Sequence, residues 1–263
     1  MTARAGIAGI GLLGPGLPGW AAAQPVLAGL APHDPAPLVP PVPTLLPPTE
    51  RRRTGPSVRL ALAVAAEAVQ ASGLPPEELD SVFASSNGEA QVIVSILEAL
   101  HAPDGAISPT QFHNSVHNAA AGYWGIAVGS ARPSVSLGGH DFAFATGLMQ
   151  AVAQVAAQRA PVLFVAHDVP LPRPLDALRP GDACFAVALV LLPGAGALGT
   201  LTLAYDARGE AAEPPLPGGL DAIRAGNPAA RALPLLMALA ARRATALRFA
   251  LPEAAALDVT VAP

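Results

Sequence analysis

The chain has 263 residues, of which 52% are hydrophobic and 13% are charged, and its formal net charge is −4 at pH 7. This length and composition predict one sizeable hydrophobic core. All cationic side chains are arginine, and apart from Arg51–Arg53 they are scattered, which argues against nucleic acid as a partner. A single cysteine, Cys184, excludes an internal disulfide and indicates a reducing, cytoplasmic compartment.

The chain opens with a strand-like run, Ala5–Gly11, that leads into two ambiguous patterns. An apolar stretch followed by Ala21–Gln24 resembles a signal peptide, but the glycines and prolines within Gly6–Gly19 are poor material for its helical core. Gly9-x-Gly11-x-x-Gly14 matches a dinucleotide-binding fingerprint, yet prolines and glycines stand where the phosphate-binding helix should begin. We therefore expect a tight turn at the end of a strand, and no cofactor.

Hydrophobic periodicity predicts the elements up to residue 192. They are an extended surface loop over Pro25–Pro48, a helix over Arg59–Ser72 ended by Gly73, a helical turn at Pro75–Leu79, a strand over Ser81–Ser86, a helix over Ala90–His101, a strand over Pro133–Leu137, a helix over Phe142–Arg159, a strand over Pro161–Ala166, a loop over Asp168–Asp182 and a strand from Cys184 to Leu192. This order predicts an α/β fold with a mostly parallel, buried sheet and helices on both faces.

The segment Cys184–Ala204 is uncharged and long enough to cross a bilayer. Pro193 and the glycines after it divide the segment into two strand-sized pieces, so we expect no membrane span.

The tail from Leu201 has a different character. A helix is predicted over Ala232–Ala246, followed by strand-like runs at Leu247–Ala250 and Leu257–Val261 that suit a hairpin. We expect residues 1–200 to form the main domain and residues 201–263 a small α+β extension packed on the same core.

A polar, aromatic segment, Ser108–Trp124, leads into a helix of small residues. His113 and His117 lie four residues apart, which is a helical ligand spacing, but no cysteine or nearby glutamate completes a zinc site. We therefore expect histidines that are hydrogen-bonded in a cavity wall, and no metal.

The stretch from Arg132 to Ala143 has the strand–turn–helix layout by which several enzyme folds present a nucleophile at a helix N-terminus. The turn offers His140 and Asp141, which are neither thiol nor hydroxyl. Ser134 and Ser136 lie inside the strand, and no G-x-S-x-G elbow is present. Asp141 also suits a structural role, as a carboxylate that caps the free N–H groups of the helix.

Four segments together resemble the N-terminal half of a β-ketoacyl synthase of the thiolase-like fold. They are Ala5–Gly11, Ala66–Leu74, Asn118–Gly122 and Pro133–Leu137. Their order and spacing extend the resemblance from Ala5 to Leu192. The resemblance implies that residues 1–200 form a ketosynthase N-terminal-like domain.

The resemblance also places the nucleophilic cysteine of that family at Asp141, to within one residue, between His140 and Phe142. Gly138 stands where the family has aspartate. The two catalytic histidines of the family belong to motifs of its second half, and neither motif occurs after Leu192. The resemblance therefore implies that the chain has no catalytic residue of its own.

The chain further resembles the short chain-length-factor-like proteins of aryl polyene clusters, which implies a partnership with a full-length ketosynthase in polyene or fatty-acid-type biosynthesis. Acyl carrier protein would bind through that heterodimer. The strand Pro133–Leu137 would pair across the two-fold axis. The candidate interface and tunnel residues are Phe112, His113, Asn114, His117, Asn118, Tyr123, Trp124 and Phe144.

Two alternatives stay open at this point. One is a truncated ketosynthase-like enzyme that uses Asp141 or His140 for acyl-thioester hydrolysis or decarboxylation. The other is a domain that only binds acyl carrier protein.

Overall fold

The bounds below come from a computed structural model that describes residues 2–209, 211 and 213–263. The helices are α1 Trp20–Leu27, α2 Pro48–Arg51, α3 Pro56–Ser72, α4 Ala90–His101, α5 Pro109–Asn114, α6 Ala119–Val128, α7 Ala143–Gln158, α8 Leu220–Gly226 and α9 Leu233–Ala240. The strands are β1 Thr2–Leu13, β2 Asp80–Ala84, β3 Ser134–Leu137, β4 Val162–Asp168, β5 Phe185–Leu192, β6 Thr200–Asp206, β7 Thr245–Leu251 and β8 Ala255–Ala262.

The strands form one mixed sheet with the order β3-β2-β4-β5-β1-β6-β8-β7. Only the pairs β2–β3 and β2–β4 are parallel, and every other pair in this order is antiparallel. The expectation of a mostly parallel sheet was therefore wrong. Helices connect β2, β3 and β4, whereas a loop without an α-helix joins β4 to β5, so the chain reverses direction there.

The sheet is covered by helices on both faces, as expected. Strand β4 shows why, because its alternate side chains belong to two separate hydrophobic clusters. Val162, Phe164 and Ala166 join the cluster that includes α7 and α9, while Leu163 and Val165 join the cluster that includes α3 and α6. Both faces of the strand are thus buried.

The glycines of the fingerprint-like motif let α3 approach β1 closely. A Cβ atom built on Gly11 would lie 2.0 Å from the Val64 carbonyl oxygen, and one on Gly9 would lie 2.0 Å from the Ala68 carbonyl oxygen. After β1 the backbone makes a tight turn with a bridge between Gly14 and Leu17, as the sequence suggested. The glycine spacing therefore serves helix packing.

The proline-rich region differs from the expected loop at its start, because α1 extends over Trp20–Leu27 and contains Pro25. The carboxylate of Glu67, on α3, explains where α1 begins. It accepts hydrogen bonds from the Leu12 backbone N–H at 2.9 Å and from the Trp20 backbone N–H at 2.6 Å. This contact ties the end of β1 and the start of α1 to one helix.

In the tail, the expected hairpin is present, since β7 and β8 pair antiparallel from Thr245–Val261 to Leu251–Ala255. The predicted helix is shorter than expected, because α9 ends at Ala240 and the chain from Thr245 onward is strand. Strands β6, β8 and β7 continue the sheet beyond β1, and Leu233 and Leu236 of α9 enter its core. In the described chain, no helix is both long and apolar enough to cross a membrane.

Candidate functional site

The strand–turn–helix region lies at the carboxyl end of β3, which is an edge strand of the sheet. His140 has a φ of 49°, in the left-handed region, and begins a 3₁₀ turn, His140–Phe142, that leads directly into α7. A non-glycine residue in this region is uncommon, although histidine adopts it more often than most side chains do. The turn is therefore sharp, as the sequence predicted, and its side chains are His140 and Asp141.

Asp141 is held by arginines that come from distant parts of the chain. Its Oδ1 accepts a short, charge-assisted hydrogen bond from Nη2 of Arg179, whose side chain is only 13% exposed. Arg231 lies 3.8 Å from Oδ2, and Nδ1 of His140 lies 3.6 Å from the same oxygen. The expectation that Asp141 caps the helix was wrong, since no side-chain hydrogen bond caps the start of α7.

Arg179 joins this turn to the loop that follows β2. Its Nη1 donates to Ser86 Oγ at 3.2 Å and to Asn87 Oδ1 at 3.1 Å. The loop that follows β2 is also held by the fully buried Asp168, at the end of β4. Asp168 accepts hydrogen bonds from Ser85 Oγ at 2.8 Å and from the backbone N–H groups of Ser86 and Asn87 at 3.1 and 2.9 Å.

Burial raises the pKa of Asp168 from 3.8 to about 6, although its hydrogen bonds and Arg179 act in the opposite direction. Next to it, His167 is also buried, and its Nδ1 is 2.9 Å from Ser57 Oγ at the first turn of α3. Burial, with a smaller contribution from His117, lowers the pKa of His167 from 6.5 to about 3. His167 is therefore neutral at pH 7.

Glu89 is a third buried ionisable group at this end of the sheet. Its Oε1 accepts a hydrogen bond of 2.8 Å from the Val58 backbone N–H, at the start of α3. Burial raises the pKa of Glu89, while this bond and Arg59 lower it. A carboxylate at a helix N-terminus satisfies the free N–H groups there.

Sequence reasoning did not single out Ser57, Glu89, His167, Asp168 or Arg179. His167 and Asp168 carried a usable signal, because a polar pair directly follows an apolar strand. Arg179 carried none, since it lies in a loop rich in proline and arginine.

The structure brings most of the predicted segment Phe112–Trp124 to the edge of the sheet beside β3. His117 Nε2 lies 2.8 Å from the Leu137 carbonyl oxygen, at the end of β3. Asn114 accepts from the Tyr123 hydroxyl at 3.0 Å and donates to the Arg53 carbonyl oxygen at 2.8 Å. Burial raises the pKa of the Tyr123 phenol.

The other predicted residues of this segment differ in exposure. Phe112 is 66% exposed, His113 packs edge-on against Tyr123 with ring centroids 6.5 Å apart, and Asn118 is exposed just before α6. Trp124, on α6, is buried. Phe144 is not brought together with them: it is fully buried between Phe164 and Phe249, while Phe142 is half-buried in the turn.

A groove of about 620 Å³ runs between β3 and α6. On its sheet side lie the hydroxyls of Ser81, Ser134 and Ser136, and Ser81 Oγ donates to Ser134 Oγ at 2.9 Å. Val135 and Leu137, which alternate with these serines, pack against the core instead. Strand β3 therefore presents a polar face to the groove and an apolar face to α7.

Other reactive side chains give little support for chemistry at this end of the molecule. Cys184 is half-buried before β5, and burial raises the pKa of its thiol. Within the described residues no group of three or more histidine, cysteine, aspartate or glutamate side chains is placed to hold a metal ion. Asp141 is a carboxylate whose oxygens already face cationic partners.

The comparison with family models identifies one family. The family model described as "Beta-ketoacyl synthase, N-terminal domain" matches residues 20–226. A search of curated proteins found no match.

Several solved structures share the fold at low identity. A chain of the ketosynthase ApeO in complex with its chain length factor ApeC, from Xenorhabdus doucetiae, is 22% identical, with a TM-score of 0.73 and coverage of 98% of this chain and 99% of that one. A chain of the ishigamide ketosynthase/chain length factor is 14% identical, with a TM-score of 0.71 and coverage of 98% and 99%. A chain of AntDE:AntF, described as a type II PKS acyl-carrier protein in complex with its ketosynthase, is 13% identical, with a TM-score of 0.74 and coverage of 100% and 99%.

Proposed function

We infer the function of this chain from the β-ketoacyl synthase N-terminal domain family, to which it belongs. We propose that the chain is a non-catalytic subunit and that it pairs with a full-length ketosynthase. Its role would be that of a chain length factor in fatty-acid-type or polyene biosynthesis. The observation that carries the proposal is the open edge of β3, which lies beside a groove and the exposed apolar side chain of Ile126.

The open edge consists of backbone groups ready for another strand. Strand β3 pairs with β2 on one side, and among the described residues no strand pairs with its other side. The carbonyl oxygens of Pro133 and Leu137 accept from Ser81 and Ser85 of the β2 side. The N–H and C=O groups of the alternating residues Ser134 and Ser136 therefore face the open edge. Such an edge is a template for strand addition.

Exposed apolar side chains lie on α6 and on the segments that precede it. Ile126 of α6 lines the groove beside β3, and Val116 lies near Ile126 in a neighbouring cleft. The others are Phe112 on α5 and Ile93, Leu97 and Leu100 on α4. Clustered exposed side chains of this kind mark a protein interface more often than a free surface. The partner we propose is a ketosynthase, because the family resemblance pairs the equivalent strands of two subunits across a two-fold axis.

The non-catalytic part of the proposal rests on the turn after β3. A Claisen condensation needs a thiolate nucleophile, and the turn offers His140 and Asp141 in its place. Arg179 engages the Asp141 carboxylate, which makes it a poor attacking group. We therefore expect the partner to supply the nucleophile and the histidines, and acyl carrier protein to reach this chain only through the complex.

The groove between β3 and α6 gives the proposed subunit a surface for influencing the partner's acyl chain. Gly122 and Trp124 of α6, and Asn118 just before it, line the groove. Once a partner strand covers β3, these side chains would lie at the interface, where bulk controls how much chain fits.

Co-expression with a full-length ketosynthase from the same organism tests the proposal through the native mass of the purified species. We expect a one-to-one complex. Ser136→Pro removes an N–H from the open edge and leaves the β2 pairing intact, so it should weaken the complex at least tenfold. Ile126→Asp, which places a charge in the apolar flank, should do the same.

The matched control is Leu30→Asp, another exposed apolar residue, which follows α1 far along the chain from β3. This variant should assemble normally. A chain that stays monomeric or forms only homodimers in the presence of the ketosynthase contradicts the proposal. A mass increase of an acyl group at Asp141 after incubation with acyl thioesters would instead favour the enzyme alternative.

A further inference from the structure

The loop between β4 and β5, residues 169–183, crosses the carboxyl end of the sheet as a strap. Its two ends are clipped together by the buried Asn227, whose Nδ2 donates to the carbonyl oxygens of Asp168 and Ala183 at 2.9 Å each. Between these ends no residue of the strap is buried, and Leu178 is 80% exposed. Because Asn227 contacts only the ends of the strap, the middle of the strap needs other contacts to be held in place.

Arg179 supplies those contacts. Within residues 170–182 it is the side chain that hydrogen-bonds to other parts of the described chain: to Ser86 and Asn87 after β2, and to Asp141 after β3. The strap's other ion pair, between Arg173 and Asp176 at 3.8 Å, is internal. One side chain thus fastens the middle of the strap to two other loops.

The charge arrangement explains why Asp141 is needed for this contact. The Arg179 side chain is 13% exposed and lies near the start of α7, where the helix dipole disfavours a cation. Its neighbours Ser86 and Asn87 are neutral, and the nearby His140 ring does not offset its charge. The buried Asp168 interacts with it electrostatically but makes no hydrogen bond to it. Asp141 is the carboxylate in hydrogen-bond contact with it.

We propose that Arg179 and Asp141 form a latch that holds the 169–183 strap closed over the carboxyl ends of β2, β3 and β4. The latch covers the buried Asp168, which lies under the Ser86–Asn87 loop. On this account Asp141 is a structural residue whose role does not require a ketosynthase partner, so its test is independent of the function proposed above.

Hydrogen–deuterium exchange of the full chain alone tests the latch. In Asp141→Asn and in Arg179→Gln, the hydrogen-bonded amides of Asp176 in the strap and of residues 85–88 should exchange at least tenfold faster than in the wild type. The exchange of these amides is called strap exchange below. The double variant should be no faster than Arg179→Gln, because Arg179→Gln already removes the contact with Asp141. The matched control, Arg173→Gln, alters an exposed arginine of the same strap and should exchange like the wild type.

The β7–β8 hairpin reports whether the variants still fold, because it lies at the other end of the sheet. If hairpin exchange also rises, wild-type protein in 0.05 M and 1 M NaCl replaces the variants, and strap exchange should increase selectively at high salt. Unchanged strap exchange in both single variants, or in the salt series, overturns the proposal. So does equal acceleration by Arg173→Gln.

Discussion

Two adjacent side chains at the end of β4 have shifted pKa values: burial lowers the pKa of His167 and raises that of Asp168, and both shifts favour the neutral form. Between about pH 4 and 6 the folded state binds a proton at Asp168 that the unfolded state has released, so this group makes folding less favourable as the pH rises. His167 acts in the opposite sense. Between about pH 3 and 6.5 the unfolded state binds a proton that the folded state does not, so stability falls as the pH drops.

Single substitutions should therefore change the pH slope of the free energy of unfolding in opposite directions relative to the wild type. His167→Gln removes a contribution that rises with pH, so from pH 4 to 6 the slope should be more negative than in the wild type by about 1 kcal/mol per pH unit. Asp168→Asn removes a contribution that falls with pH, so the slope should be more positive by about the same amount. Urea unfolding at several pH values measures both. Parallel profiles for the two variants would contradict the assignment.

The Asp141–Arg179 ion pair should also contribute to global stability. Asp141 is partly exposed, so solvent screening reduces the pair's coupling to about 1–2 kcal/mol, below that of a fully buried pair. A double-mutant cycle with Asp141→Ala and Arg179→Ala, followed by urea unfolding, measures this coupling. A value near zero would mean that the two side chains contribute independently.

At the scale of single residues, the sequence indicated Asp141 but not its partner Arg179. The strand–turn–helix pattern was local and identified His140 and Asp141. Arg179 lies 38 residues further on, and its position depends on how the strap folds back. The local periodicity of the sequence does not show that the strap folds back toward Asp141.

At the scale of elements, the close packing of α3 on β1 can be tested by substituting a glycine of β1. Gly11→Ala would place a Cβ atom 2.0 Å from the Val64 carbonyl oxygen, and backbone has to move to relieve it. We expect a loss of about 3 kcal/mol in the free energy of unfolding. Gly122→Ala, on α6, meets nothing within 4 Å and should raise stability by about 0.5–1 kcal/mol. Equal effects of the two substitutions in urea unfolding would show that the close approach is unimportant.

Elements with strong periodicity were predictable. Helix α4 has the predicted bounds, and α3 ends at Gly73 in the left-handed conformation. Helix α8 was missed, and α9 was predicted too long because alanine-rich sequence does not distinguish helix from a strand that a neighbour stabilises. The direction of β5 was missed too, since strand direction depends on what connects the strands.

For the whole molecule, the fold places an open strand edge, a groove and exposed apolar side chains on one side of the sheet. The opposite edge, β7, has side chains tied to its neighbours, as Arg248 pairs with Asp258 of β8 at 2.9 Å. Both β3 and β7 are edge strands of the described sheet, and we propose the β3 edge for a partner strand because it lies beside the groove and the exposed Ile126.

The most direct test is hydrogen–deuterium exchange of this chain alone and in the purified complex with a ketosynthase. We predict that amides of Ser134 and Ser136, and those of α4 to α6, become strongly protected in the complex while β7 stays unchanged. A complex that leaves β3 exchanging as in the free chain, with protection elsewhere, would contradict the proposed pairing.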